Sequence, residues 1–197
     1  MVKTNSMRAW FLATRPKTLT GAIAPVLVGA AFAYASSGAV SMLMPFLLCL
    51  LFAVLMQIDA NLINDYFDFK KGTDREDRLG PERACAQGWI TPRAMQWGIG
   101  VMTALSCLVG IAILLVHMQW ELLLVGILCV VFCFLFTTRL SYLGWGDVLV
   151  LVFFGFVPVV FTHYVMTNGG WSVPLLIAGF AMGLATAYLL VVDNFRD

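Results

Sequence analysis

The chain alternates between long apolar runs and more polar joints. The apolar runs cover about residues 19–36, 42–67, 94–116, 121–138, 147–167 and 173–195. Each run is close to the roughly 20 residues that a helix needs to cross the hydrocarbon core of a bilayer. A helix also satisfies its own backbone hydrogen bonds, which a segment in lipid must do. The pattern therefore predicts an all-α, multi-spanning membrane helical bundle that forms one membrane-embedded domain over residues 1–197.

The distribution of basic residues tests this number of spans. Lys and Arg occur in the N-terminal segment, in the loop of about residues 68–93, after the fourth run and at the C-terminal end. With six spans, all 12 of them fall on one side of the membrane. A wrong number of spans would scatter them over both sides. Because positive residues favour the cytoplasmic side, we expect the N-terminus and the loop of residues 68–93 to be cytoplasmic.

Composition agrees with a membrane protein and excludes other classes. The chain is 61% hydrophobic and only 12% charged, whereas ordinary soluble domains carry about 25% charged residues. No basic stripe with interleaved aromatic residues is present, so we expect no nucleic-acid partner. The five cysteines are interpreted as small buried apolar residues, since four of them lie inside apolar runs.

Two acidic clusters end apolar runs on the same side of the membrane. Asn64 and Asp68 are four residues apart at the end of the second run, and Asp193 and Asp197 repeat that spacing at the end of the sixth. Residues at this spacing share one face of a helix. Their oxygen atoms are hard ligands that suit Mg²⁺ or Ca²⁺. Asn61 and Asp65 belong to the first cluster as well, and Asn194 to the second. Two facing clusters of carboxylates would repel each other, so we predict that metal cations lie between them.

Basic residues follow the first cluster and extend the predicted site. Lys71, Arg78 and Arg83 are placed to hold phosphate oxygens, and Mg²⁺ is commonly shared between carboxylates and substrate phosphates. Acidic and basic groups beside apolar walls predict a phosphorylated lipid as substrate, such as a polyprenyl diphosphate. The plainer interpretation is a helix end followed by a solvated charged loop, which explains the polar side chains before Phe67 less well.

Three stretches resemble the UbiA superfamily of intramembrane prenyltransferases, and within it the 1,4-dihydroxy-2-naphthoate prenyltransferases of menaquinone synthesis. They are TRPKTLTGAIAPVLVG at 14–29, NDYFDFKKGTDREDRLGPERACAQGWIT at 64–91 and LSYLGWGDVLVLVFFGFVPV at 140–159. The resemblance covers nearly the whole chain. The RLGPERA segment is its most specific part, because other branches of the superfamily differ there.

The resemblance implies a Mg²⁺-dependent transfer of a polyprenyl group from an allylic diphosphate to 1,4-dihydroxy-2-naphthoate, with loss of CO₂. The implied location is the bacterial cytoplasmic (inner) membrane, with both acidic clusters in the cytoplasm. The implied metal ligands are Asn61, Asn64, Asp68, Asp193 and Asp197. The implied catalytic residues are Asp65, Asp68 and Lys71. The implied substrate-binding residues are Arg15, Lys17, Lys71, Asp74, Arg78, Arg83, Arg139 and Tyr142. A different acceptor within the superfamily, such as 4-hydroxybenzoate, stays open.

The chain also departs from the family pattern. The family usually has about nine spans, whereas this sequence predicts six and ends at Asp197, within the second cluster. We therefore expect a C-terminally truncated form, and an inactive membrane fragment stays an alternative. An ion-coupled transporter is another, although it would place polar groups and broken helices at mid-membrane. Asp59, between Ile58 and Ala60, is interpreted either as the partner of a basic residue or as a position that the family fills with a neutral one.

Overall fold

The fold was taken from a computed structural model that describes residues 2–37, 43–72, 82–136 and 146–196. The side chains of residues 147 and 190–196 lie outside this description. The helices are α1 (Met7–Ala13), α2 (Leu19–Ser37), α3 (Leu43–Lys71), α4 (Pro92–His117), α5 (Trp120–Leu135), α6 (Gly146–Val150), α7 (Val157–Thr167) and α8 (Val173–Arg196). A 3₁₀ turn, Pro16–Thr18, precedes α2, and a π-helical segment, Leu151–Phe156, joins α6 to α7.

The predicted all-α bundle is confirmed. The six apolar runs correspond to α2, α3, α4, α5, the continuous α6–α7 segment and α8, and the described residues contain no strand. By length and composition, four segments are able to cross a membrane: Met7–Ser36, Leu43–Lys71, Pro92–His117 and Val148–Thr167. Trp120–Leu135 and Val173–Leu189 are shorter apolar helices within the described ranges. This is the architecture of an integral membrane protein.

Local chemistry explains where several helices begin and end. Thr91 caps α4, because its hydroxyl accepts a hydrogen bond from the Ala94 amide, and Pro92 occupies the first helical position, where no amide hydrogen is needed. Met118 ends the same helix in the left-handed conformation. Pro158 lies just after the π-helical segment, at the start of α7. The helix therefore changes its hydrogen-bonding register immediately before the proline, which cannot donate one.

Glycines allow the closest helix contacts. A Cβ atom on Gly29 of α2 would lie 2.3 Å from the Val159 carbonyl oxygen of α7. A Cβ atom on Gly155 would lie 2.0 Å from the Cα of Gly183 in α8. Small residues are the usual means of close packing in membranes, where dispersion rather than the hydrophobic effect holds helices together. These contacts fix α2, α6–α7 and α8 as one wall of the bundle.

Candidate active site

An apolar cavity lies between α2, α3, α4, α5 and the α6–α7 segment. The contribution of α3 is a stripe made of Cys49, Phe52, Ala53, Met56, Gln57 and Ala60. The opposite walls come from α5 and the α6–α7 segment, with Gly126, Cys129, Phe132, Phe153, Pro158 and Phe161 among their residues. Cys49 and Ala60 are eleven positions apart, so the stripe extends for about 16 Å along the helix at about 1.5 Å per residue. The cavity is therefore long and apolar.

The α3 stripe leads directly to the first acidic cluster. Asn64 is four residues beyond Ala60, and Asp68 is four residues beyond Asn64, so all three lie along one side of α3. Both polar residues are half-buried. One helix face therefore changes from apolar to oxygen-bearing within about two turns. This arrangement suits a ligand with an apolar tail and a charged head.

The charged end of the stripe contains an ion pair. A guanidinium nitrogen of Arg83, Nη2, donates to Oδ2 of Asp68 at 2.7 Å. The Arg83 side chain is 9% exposed and the Asp68 side chain 19% exposed. Two residues that the sequence assigned to the same site are thus in direct contact, although fifteen positions separate them. The pair places a cation and an anion together on the side of α3 that continues the cavity-lining stripe.

Asp65 binds the backbone of the loop that carries Arg83. Its carboxylate accepts hydrogen bonds from the backbone amides of Ala84 at 2.7 Å and Cys85 at 2.9 Å. These amides begin a helical turn over residues 84–89, called here the 84–89 turn. Gly88 is left-handed at φ +68° near the end of this turn, and the amides of Gly88 and Trp89 donate to the carbonyls of Cys85 and Ala84, respectively. Both donors are of the kind that a carboxylate caps at the start of a helix.

Asp65 contacts backbone amides, whereas Asp68 contacts the side chain of Arg83. Asp65 is only 1% exposed, and each of its oxygens accepts from a backbone amide. Its side chain anchors the 84–89 turn beside α3, and the residue just before that turn is Arg83. The catalytic role predicted for Asp65 stays a prediction, and the contacts it makes are those of an anchor.

Asn61 contacts the segment between α1 and α2 rather than the Asp68–Arg83 pair. Its Nδ2 donates to the Thr14 carbonyl oxygen and to Oγ1 of Thr18, both at 2.9 Å. Its Oδ1 accepts from Nε2 of Gln57 at 3.4 Å. Between Thr14 and Thr18 lies Arg15, whose backbone is left-handed at φ 49° and ψ 70°. We call residues 14–18 the Arg15 turn.

The remaining predicted residues are only partly described. Lys71 is exposed at the end of α3, and Lys17 is exposed in the 3₁₀ turn. The predicted residues outside the description are Asp74, Arg78, Arg139, Tyr142 and Asp197, and Asp193 lies in α8 with its side chain outside it. Among the side chains that the structure does describe, no group of three or more His, Cys, Asp or Glu residues is placed to hold a metal ion. The predicted metal site therefore stays a prediction.

Three polar contacts were missed at the sequence level. Gln57 bonds Asn61, Thr18 bonds Asn61, and Thr103 donates to Oδ2 of Asp59 at 2.6 Å. Only the first had a sequence signal, because Gln57 and Asn61 are four residues apart on one helix. The other two join separate helices, which the sequence alone does not pair.

Comparison with known proteins agrees with the family resemblance. The family model for the UbiA prenyltransferase family matches residues 22–197. The 1,4-dihydroxy-2-naphthoate octaprenyltransferase of Haemophilus influenzae is 33% identical over 199 residues, covering 97% of this chain and 64% of that protein. The protein of the same name in Escherichia coli is 36% identical over 199 residues, covering 96% of this chain and 63% of that protein.

A vertebrate relative extends the comparison. The UbiA prenyltransferase domain-containing protein 1 of Danio rerio is 31% identical over 193 residues, covering 96% of this chain and 56% of that protein. The chain thus spans less than two thirds of the length of these curated relatives. No solved structure shows significant similarity to it. The match to the family model covers most of the sequence, and on that basis the chain belongs to the UbiA prenyltransferase family.

Proposed function

We propose that this protein transfers a polyprenyl group from an allylic diphosphate to 1,4-dihydroxy-2-naphthoate, with decarboxylation, as a step of menaquinone biosynthesis. The observation that carries the proposal is the α3 stripe, which leads from the apolar cavity through Ala60 to Asn64, Asp68 and the paired Arg83. The names of the bacterial relatives support 1,4-dihydroxy-2-naphthoate as the proposed acceptor. The proposed location is the bacterial inner membrane, with the polar end of the cavity facing the cytoplasm, as the distribution of Lys and Arg favours.

The apolar cavity would hold the prenyl tail. Burial of apolar groups is worth about 0.8 kcal/mol per CH₂, so a few isoprene units along the α3 stripe contribute substantial binding energy. A stripe of about 16 Å is too short for a long polyprenyl chain, and the rest of the tail would extend into lipid. Binding of the tail fixes the position of the reacting carbon at the polar end.

The polar end would hold the diphosphate. UbiA prenyltransferases are generally metal-dependent, and the oxygens of Asn64 and Asp68 are ligands of the kind that Mg²⁺ prefers. A bound Mg²⁺ would neutralise charge on the diphosphate as it leaves. Arg83 and Lys71 would contact phosphate oxygens beyond the reach of the metal ligands. The bond between the prenyl carbon and the diphosphate oxygen breaks, the acceptor ring bonds to that carbon, and the ring carboxylate leaves as CO₂.

A product assay tests the proposal directly. Membranes containing the chain are incubated with Mg²⁺, a polyprenyl diphosphate and 1,4-dihydroxy-2-naphthoate. The hydroquinone product is then oxidised in air and measured as demethylmenaquinone. The same assay is run on a fusion that continues with the C-terminal third of the Escherichia coli relative, because the chain spans 63% of that protein. We expect product from the fusion at least. Product only with 4-hydroxybenzoate would reassign the acceptor, and no product from either protein with either acceptor would overturn the proposal.

A substitution in the cavity tests its proposed role in tail binding. A Cβ atom on Gly126 meets no other atom within 4 Å, although Gly126 lines the cavity. Gly126→Leu should therefore fill the cavity without a clash, so that long donors react more slowly while dimethylallyl diphosphate is unaffected. Gly100→Leu is the matched control, since Gly100 is equally unobstructed and lies on the exposed surface of α4. Equal effects of Gly126→Leu on long and short donors would rule out this cavity as the tail site.

A further inference from the structure

We propose that Asn61 is a positioning residue that holds the Arg15 turn, so that the Arg15 guanidinium binds an anionic group of a substrate. The inference rests on the function proposed above. It replaces the sequence-based assignment of Asn61 as a metal ligand. The anionic group is either the diphosphate of the donor or the carboxylate of the acceptor, which share the chemistry that a guanidinium recognises.

The hydrogen bonds fix the orientation of the Asn61 side chain. The Thr14 carbonyl oxygen only accepts hydrogen bonds, so the atom of Asn61 that lies 2.9 Å from it is the amide nitrogen. The same nitrogen donates to Thr18 Oγ1. The amide oxygen accepts from Gln57. Asn61 is 4% exposed, and both ends of its amide are engaged by the protein.

The contacts of Asn61 lie on either side of a strained residue. A left-handed backbone is unfavourable for a residue with a Cβ atom, and Arg15 adopts it at φ 49°. Such a conformation persists only where the surrounding structure imposes it. Here Asn61 holds the carbonyl before Arg15, and Thr18 donates to the Arg15 carbonyl through both its amide and its hydroxyl at 2.9 Å. Loss of the Asn61 amide nitrogen would remove both of its hydrogen bonds from α3 to this turn.

The turn lies next to the proposed site. Asn61 and Asn64 are three positions apart on α3, so they are neighbours on its surface. The Arg15 turn is bonded to the first, and the second belongs to the stripe that ends at Asp68. The Nε and Nη2 atoms of Arg15 are buried. Arg15 as a whole is half-buried, and a partly buried cationic side chain in a membrane protein usually serves binding or catalysis.

The experiment compares Asn61→Ala and Asn61→Asp with Arg15→Gln and the double variant Asn61→Ala/Arg15→Gln, all in the fusion protein. The aspartate variant keeps oxygen ligands for a metal and loses the amide donor, so it separates the two roles. We expect both Asn61 variants to raise KM for one substrate by about tenfold to a hundredfold, with an unchanged Mg²⁺ requirement. Which KM rises identifies the anionic group. The double variant should be no worse than Arg15→Gln alone.

A matched pair of threonines controls for local damage to the turn. Thr18 and Thr20 both donate from Oγ1 to the carbonyl three residues earlier, but only Thr18 also accepts from Asn61. Thr18→Ala should reproduce part of the Asn61 effect, whereas Thr20→Ala should leave KM unchanged. An equal effect of the two threonine substitutions would assign the defect to the turn alone and overturn the proposal.

A binding measurement gives a readout that does not depend on turnover. The thermal midpoint of the detergent-solubilised protein is measured with inorganic pyrophosphate and, separately, with 1-hydroxy-2-naphthoate. One of them should stabilise the wild-type protein, and Asn61→Asp and Arg15→Gln should lose that shift. If neither compound stabilises the wild type, the proposed function fails and this inference fails with it. If the shift survives in Asn61→Asp, or if Asn61→Ala changes only the Mg²⁺ requirement, the positioning role is wrong while the proposed function stands.

Discussion

Helix α3 carries two equally buried carboxylates whose surroundings differ. Asp59 and Asp65 are each 1% exposed. Asp65 accepts two backbone hydrogen bonds, one at each oxygen. Asp59 accepts one hydrogen bond from Thr103 at Oδ2, while its buried Oδ1 has no hydrogen-bond partner among the residues that the structure describes. Burial alone therefore does not tell which carboxylate contributes more to stability. The number and kind of their hydrogen-bond partners distinguish them.

The comparison separates an anchor from an incompletely satisfied polar group. The amides of Ala84 and Cys85 are fixed in the backbone and both donate to Asp65. The loss of Asp65 would therefore leave two buried donors without this acceptor, which is costly. The Thr103 hydroxyl, in contrast, is able to bond a backbone carbonyl of its own helix if Asp59 is replaced. Asp68 is a third case, because it is more exposed than either and pairs with a side chain that a substrate would be able to engage.

The largest expected effect is on activity at Asp68. Asp68→Ala removes the carboxylate at the polar end of the α3 stripe, and we expect prenyl transfer to fall by about a hundredfold or more, as for loss of other groups that stabilise developing charge. The thermal midpoint should change less than in an Asp65 variant, because the Asp68 side chain is 19% exposed whereas Asp65 is only 1% exposed. Steady-state kinetics and thermal unfolding of the same preparation check both points. Glu82→Ala, at an exposed position near Arg83, is the control, and wild-type turnover in Asp68→Ala would remove Asp68 from the site.

The next effect is on stability at Asp65. Asp65→Ala should lower the free energy of unfolding by about 2–5 kcal/mol, since each orphaned buried amide costs about 1–3 kcal/mol. Activity should fall as well, because Arg83 directly precedes the turn that Asp65 anchors. Asp65→Asn keeps one acceptor oxygen and should lie between the alanine variant and the wild type. Thermal midpoints in detergent measure the series, and an alanine variant as stable as the wild type would refute the anchoring role.

The sequence predicted the helices because the information is local. An apolar run of spanning length needs no knowledge of its neighbours, and α2, α3 and α4 begin and end within a few residues of the predicted runs. The placement of Lys and Arg on one side of the membrane likewise requires only the order of the spans along the chain. The sequence assigned Asp68 and Arg83 to one site, but with a metal and a phosphate as their separate partners, and it did not predict their ion pair.

Roles that depend on backbone partners were beyond sequence reasoning. The donors to Asp65 are the amides of Ala84 and Cys85, and any residue other than proline would supply an amide. The Asn61 amide bonds a carbonyl of the segment before α2, and its placement depends on how α2 and α3 pack. In both cases the sequence identified the polar residue, while its contacts were set by the tertiary fold.

The smallest expected effect is at Asp59, and it is the strictest test of the comparison. Asp59→Asn keeps an acceptor for the Thr103 hydroxyl, and Asp59→Leu removes a carboxylate whose Oδ1 has no partner in the described part of the chain. Replacing an incompletely paired buried polar group by an apolar one is often neutral or stabilising, so both variants should stay within about 1 kcal/mol of the wild type, or about 2–4 °C in thermal midpoint. A fall as large as that of Asp65→Ala would mean that Asp59 has a partner of equal importance, and the two carboxylates would then serve the fold in the same way.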